Sequence, residues 1–251
     1  MTGGPTTIKI GGIAGTHDDA LRTLARQAPA DAVIVHGGGQ EIERWSRRLG
    51  IEQRRHEGLR VTDLDTLEVV IAVLAGLVST RLVAALAMEG RAAVGLTGVD
   101  GHLLRLRARD PGLGAVGEVV GVDVERLEAL AGTGLLPVLA PVGVDDDGAL
   151  LNVNADEAAA AVGAARGGRL LLCTDVAGVQ RDGRLVDRLD AAGAEAMLAD
   201  GSATDGMRPK LRAALHAARA GCEVRIVDGR DPAGLAAALA GAAAGTLVTA
   251  A

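Results

Sequence analysis

Short apolar runs rich in β-branched residues alternate along the whole chain with longer stretches of helical period, and this alternation restricts the fold more than any other feature. Thr7 to Ile10, Ala32 to His36, Ala93 to Leu96, Leu136 to Ala140, Leu170 to Thr174, Glu223 to Val227 and Thr246 to Thr249 read as strands. Asp18 to Gln27, Glu41 to Leu49, Asp65 to Met88, Val124 to Ala131, Ala155 to Ala165, Ala191 to Leu198, Pro209 to Ala220 and Pro232 to Ala240 read as helices. Such alternation predicts an α/β fold with a mainly parallel sheet covered by helices on both faces. Gly and Asp interrupt the chain between Arg105 and Val122 and from Val142 to Leu151, which predicts hairpins there. Gly167-Gly168, after a helical run and before an apolar strand, marks a hinge between residues 1–167 and 168–251.

A chain of 251 residues that is 49% hydrophobic can bury a sizeable core as one large domain or two joined lobes. Its net charge of -6 gives no basic field for nucleic acid, so an anionic substrate must be met by local cations. Cys173 and Cys222 lie in separate apolar runs with no second pair to complete a metal knuckle, and read as buried, inert thiols. Met1 to Thr7 shows no basic region followed by an apolar stretch, and apolar runs elsewhere are broken by Gly or charge before about 18 residues. A cytoplasmic protein without a membrane span is the expectation.

The same composition narrows the chemistry. Phe and Tyr are absent, and the chain carries 24 Arg against two Lys, Lys9 and Lys210, while Asn152 and Asn154 are its only asparagines. Where Arg has replaced Lys almost throughout, the remaining Lys and Asn mark positions at which the swap is not tolerated. All four fall inside motifs. Lys9-Ile10-Gly11-Gly12 ends the first strand and pairs a point charge with close backbone approach, as phosphate requires. His36-Gly37-Gly38-Gly39 lies between strand and helix, where N–H groups face an anion or simply make a tight turn. His36 itself reads as a loop-packing residue. In Glu57 to Asp63, Arg60 sits in a Gly-bounded turn suited to a bidentate carboxylate, although a solvated Arg would look the same. Asn152-Val153-Asn154-Ala155-Asp156 opens a helix, with Asn154 or Asp156 as its cap. Lys210, in Gly206 to Lys210, lies near a helix N-terminus, where its charge opposes the dipole and calls for a functional reason. Neither Gly-rich loop matches the P-loop or dinucleotide fingerprint.

Together with Gly95 to Gly101 and Thr174 to Val179, these motifs follow one another in an order that resembles the amino-acid kinase family over nearly the whole chain. The resemblance implies a three-layer αβα sandwich with a mainly parallel open sheet, whose N-terminal lobe, 1–167, binds an acyl amino acid and dimerises while 168–251 binds ATP. It implies phosphoryl transfer from ATP to a side-chain carboxylate, N-acetyl-L-glutamate being the acceptor and Mg2+ arriving on the nucleotide phosphates. Carried over, Lys9 and Lys210 would stabilise the moving phosphoryl group and Asp156 would hold both. Gly38, Gly39, Arg60 and Asn152 would bind the acceptor. Gly11 and Gly12 would contact phosphate, and Asp175, Val176, Ala177, Gly178 and Val179, with Ser202, Ala203 and Thr204, would line the nucleotide pocket. A carboxylate needs no general base, which suits a site whose task is to bring two anions together.

Two rivals stand beside this reading: a kinase of carrier-linked aminoadipate or glutamate, and a non-catalytic sensor on the same fold. Retention of both lysines and Asp156 speaks against the sensor. Only eight residues precede Lys9, among them Gly3, Gly4 and Pro5, which disfavour the N-terminal helix that links arginine-inhibited hexamers in this family. A homodimer insensitive to arginine is therefore expected, with Leu67, Val70, Ile71, Leu74, Leu77 and Val78 as its apolar contact face.

Overall fold

The computed structural model describes residues 4–11, 18–56, 58–203 and 206–251. The first half runs β1 (Thr6–Ile10), α1 (Asp18–Gln27), β2 (Val33–His36), α2 (Gly39–Leu49), a hairpin of β3 (Arg54–His56) and β4 (Leu59–Val61), then α3 (Leu64–Ile71) and α4 (Ser79–Met88). Next come β5 (Ala93–Thr97), β6 (Leu104–Ala108), β7 (Gly117–Val122), α5 (Val124–Gly132), β8 (Leu136–Ala140), β9 (Val142–Val144), β10 (Leu150–Asn152) and α6 (Ala155–Arg166). The rest is β11 (Arg169–Thr174), β12 (Gln180–Arg181), β13 (Arg184–Leu185), β14 (Arg188–Leu189), α7 (Ala191–Ala199), α8 (Met207–Arg219), β15 (Glu223–Asp228), α9 (Pro232–Leu239) and β16 (Thr246–Val248).

An eight-stranded sheet in the order β14-β16-β15-β11-β1-β2-β8-β5 forms the middle layer, parallel except where β16 meets β15. Strand side chains alternate between its faces. Val33, Val35, Leu170 and Leu172 join the core under α6 and α8, whereas Ile34, Leu171 and Cys173 join the one under α1 and α9. The expected αβα sandwich is thus the observed one. β1 pairs with β11 from Thr6↔Arg169 to Lys9↔Leu172, so the sheet crosses the expected lobe boundary without a break.

The expected hairpins exist as a second, four-stranded sheet, β10-β9-β6-β7. It stands over the carboxyl ends of the main strands, and Gly114 fastens it to the turn after β4. Thr62 N–H donates to Leu113 O at 2.8 Å and Ala115 N–H to Thr62 O at 2.6 Å. Gly114 has φ 71°, and a Cβ there would lie 2.2 Å from Thr62 O. Left-handed strain plus that clash leads us to expect that Gly114→Ala loses about 2 kcal/mol or more. Thermal unfolding should register a drop on the order of 5 °C; an unchanged midpoint would contradict this role.

Two expectations need correction. The long helix expected from Asp65 to Met88 is not uniformly α: Ala72–Val78 forms π-helical turns between α3 and α4. In addition, Leu67, Val70, Leu74 and Val78 are buried within the chain itself, so most of the face assigned to a partner covers this protein's own sheet and α2 instead. Leu64–Met88 is also long and apolar enough by composition to cross a membrane, with mean hydropathy 2.3 over an 18-residue stretch, although Asp65, Glu68, Gly76 and Arg81 interrupt its apolar run as expected. In this fold Val70, Leu74, Val78, Leu82 and Leu86 pack it into the core.

Candidate active site

Six parallel strands end on the same side, and a cavity of about 630 Å³ opens beyond the carboxyl ends of β1, β2, β8, β11 and β15. Lys9, at the end of β1, and Lys210, in α8, reach it from opposite directions. Their Nζ atoms each stand 2.9 Å from the same oxygen, Asp156 Oδ1. All three residues are buried. Asp156 is free for this because Asn154 is the helix cap: its Oδ1 accepts from the N–H groups of Asp156 at 2.9 Å and Glu157 at 3.2 Å. That resolves which of the two residues caps α6.

Burial alone would raise the Asp156 carboxyl, but the Lys9 and Lys210 ammonium groups outweigh it and bring its pKa down to about 2. Burial lowers the pKa of Lys210, the charge of Lys9 lowers it further, and Asp156 opposes both. Two like charges are therefore confined beside a single carboxylate, leaving an excess positive charge directed at the cavity. That arrangement suits an anion that gains charge as it moves.

Gly37, Gly38, Gly39 and Gln40 line the neighbouring wall, where the N-terminus of α2 opens onto the cavity. A Cβ on Gly38 would lie 2.6 Å from Leu74 Cδ2 and 3.2 Å from Val78 Cγ2, so the π-helical turns press against this loop and leave room only for glycine. Gly11 lines the cavity next to Lys9. His36 is wholly buried beneath the loop, with Nδ1 3.0 Å from Gly37 O and its pKa lowered by burial, and it does not line the cavity.

Arg60 closes the far end. It is buried, its Nη2 donates to Gly39 O at 3.3 Å, and its Nη1 has no partner among the described residues. Burial first, and then the charge of Arg55, lower its pKa to about 10, against which Glu43 acts. Asn152 donates from Nδ2 to Thr62 Oγ1 at 3.3 Å, joining the small sheet to the β3–β4 hairpin.

On the other side Thr174, Asp175, Gly206 and Arg230 complete the lining. Arg230 was not visible in the sequence reading, being one of many arginines. It pairs with Asp228 and donates to the Asp175 carbonyl. Val176, Ala177, Gly178 and Val179 are not among the lining residues, nor are Ser202 and Ala203. The side chains of Val179 and Ala203 belong to the apolar core, and Val179 N–H donates to Thr246 Oγ1 at 2.8 Å. Gly12 and Thr204 lie outside the described residues. Among the described residues no group of three or more His, Cys, Asp or Glu is placed to hold a metal.

Two ammonium groups braced by one carboxylate, between a Gly-rich helix N-terminus and a buried arginine, on a doubly wound parallel sheet, have the chemistry that phosphoryl transfer to an anionic acceptor requires. The sequence comparisons agree, matching the amino acid kinase family model over residues 6–228. The chain belongs to the amino acid kinase family. It is 47% identical to the acetylglutamate kinase of Rubrobacter xylanophilus over 244 residues, 96% of this chain and 95% of that protein. With the acetylglutamate kinase of Methanopyrus kandleri it shares 46% over 232 residues, 88% of this chain and 93% of that one. Among solved structures, smu.665 from Streptococcus mutans superposes with a TM-score of 0.82 at 28% identity, covering 98% of both chains.

Proposed function

We propose that this protein transfers the γ-phosphoryl group of ATP to the γ-carboxylate of N-acetyl-L-glutamate, the second step of arginine biosynthesis. The observation that carries the reading is the Lys9–Asp156–Lys210 cluster at the centre of the cavity, in a chain nearly half identical to acetylglutamate kinases along almost its whole length. The acceptor carboxylate is ionised at neutral pH and attacks without a base. What opposes the reaction is repulsion between two anions, and the excess charge of the two lysines offsets it.

In this reading Gly38, Gly39, Arg60 and Asn152 hold acetylglutamate, with Arg60 taking the non-reacting α-carboxylate. Gly11, Asp175, Gly206 and Arg230 surround the phosphates, and the loop from Val176 to Val179 with Ser202 and Ala203 lies beyond them towards the nucleoside. Mg2+ on the nucleotide phosphates would supply further charge neutralisation, and Asp175, which lines this side of the cavity, would offer it a hard oxygen donor. The acceptor lobe is then 1–167 and the nucleotide lobe 168–251. Because β1 and β11 are paired across that boundary, one continuous sheet would serve both lobes.

Arg60→Ala is expected to weaken acetylglutamate by about 2 kcal/mol, the worth of a charge-assisted carboxylate contact, and to leave ATP binding nearly unchanged. Calorimetry with each ligand checks this; equal weakening of both would make Arg60 a structural residue.

A cytoplasmic homodimer fits this role. Its contact surface would share only Leu77 with the face first expected, and would be the apolar groove lined by Trp45, Leu49, Ile51, Val73 and Leu77, where Leu49 is 60% exposed. Light scattering giving a monomer mass would contradict the dimer, and recovery in a membrane fraction the location.

A further inference from the structure

We propose that Arg55 is a second carboxylate-binding residue of the acceptor site, held over Gly39 by Glu43. The inference rests on the acceptor reading above and adds to it a residue that determines specificity for an acceptor with two carboxylates.

Arg54, Arg55 and His56 form β3, and all three are exposed, so none adds to the apolar core. A packing reason for Arg55 is therefore absent. Its guanidinium instead turns back over the cavity, whose lining includes Arg55, Glu43 and Arg60. Glu43 Oε1 accepts from Arg55 Nη2 at 2.7 Å and stands 3.7 Å from Arg60 Nη2. A Cβ on Gly39 would lie 3.9 Å from Nη2 of both arginines, so the two guanidinium groups converge on one glycine of the cavity wall.

Two cations brought this close repel each other, and the repulsion is one cause of the lowered Arg60 pKa. One carboxylate between two guanidinium groups leaves a single net positive charge, which a second carboxylate would balance. Donors remain for it. Arg60 Nη1 is buried without a partner, and the Arg55 guanidinium has more N–H groups than its bonds to Glu43 and to Gly58 O use. An acceptor whose γ-carboxylate faces Lys9 and Lys210 has only its α-carboxylate left to fill this place. Glu43 is then a positioning residue, acting through Arg55.

The test measures the KM for acetylglutamate in Arg55→Ala and Arg55→Lys, alongside inhibition by 4-acetamidobutanoate, which lacks the α-carboxylate. Arg55→Ala should raise the KM about tenfold, with kcat and the KM for ATP changed by less than about twofold. Arg55→Lys should recover part of the loss, and 4-acetamidobutanoate should inhibit wild type and Arg55→Ala alike. An unchanged KM in Arg55→Ala, or an equal loss for both compounds, would overturn the assignment. If wild-type protein forms no acyl phosphate from acetylglutamate, the acceptor reading itself falls and this inference with it, a failure visible before any variant is made.

Discussion

Replacing Lys210 or Lys9 by Arg is expected to lower turnover by at least about two orders of magnitude while the protein still folds, the loss expected when one preorganised donor to a transition state is removed. Both Nζ atoms meet Asp156 Oδ1 at 2.9 Å in a buried site. A compact ammonium can share that oxygen with its neighbour and still present N–H groups to a phosphoryl oxygen, whereas a planar guanidinium is larger and points its donors along fixed directions. A hundredfold loss corresponds to about 2.7 kcal/mol of transition-state stabilisation. Because the charge is conserved, the loss should fall mainly on kcat. Circular dichroism and steady-state kinetics together check it, and near-normal turnover in both variants would refute the role given to the lysines.

Asp156→Asn is expected to be more damaging, because it acts on stability and chemistry at once. Removing one partner of a buried charge cluster leaves the others uncompensated and costs about 3–5 kcal/mol. The pH dependence carries the sign. In the native protein the Asp156 pKa is held down at about 2, below that of the unfolded chain, so its contribution is fully present above the unfolded value. It should fade as the pH falls from about 4 towards 2, a loss on the order of 2–3 kcal/mol. In the variant this acid-side loss should vanish. Asp156 also opposes the lowering of Lys210 by burial and by Lys9, so without it Lys210 gives up its proton at lower pH. Residual activity of Asp156→Asn should therefore decline at a lower pH on the alkaline side than wild type does. An alkaline limb that does not move would contradict the coupling.

The layers of the fold were legible in the sequence because the main strands alternate between two apolar layers and so appear as continuous apolar runs, as Leu170 to Cys173 does. The two hairpins of the small sheet were legible from their glycines. The β3–β4 hairpin was not recognised, since Arg54, Arg55 and His56 carry no apolar alternation and β4 has only three residues. The π-helical turns at Ala72–Val78 escaped notice because an added residue in a turn leaves no compositional trace in an all-apolar stretch. The wrong partner face has the same origin: helical period shows that a face is apolar, not which surface covers it.

Within the candidate site, rarity identified Lys9, Lys210, Asn152 and Asn154 where periodicity would have failed. It could not identify Arg55 or Arg230, two arginines among 24, whose place depends on contacts with Glu43 and Asp228 far from them in the chain or fixed only by the turn they share. Conversely Val179 and Ala203 belong to segments named for the nucleotide, yet their side chains complete the core under α7 and α8. A motif marks where the backbone passes a site, and its apolar members are free to pack inward.

The central claim is tested most directly by trapping the acyl phosphate with hydroxylamine in the presence of MgATP, offering acetylglutamate, glutamate, aspartate and carbamate side by side. Acetylglutamate should give hydroxamate at a rate at least about a hundredfold above the others, because only it places a free γ-carboxylate at the lysine pair while its α-carboxylate occupies Arg60 and its amine is masked. Equal trapping with free glutamate, or none with acetylglutamate, would contradict the account.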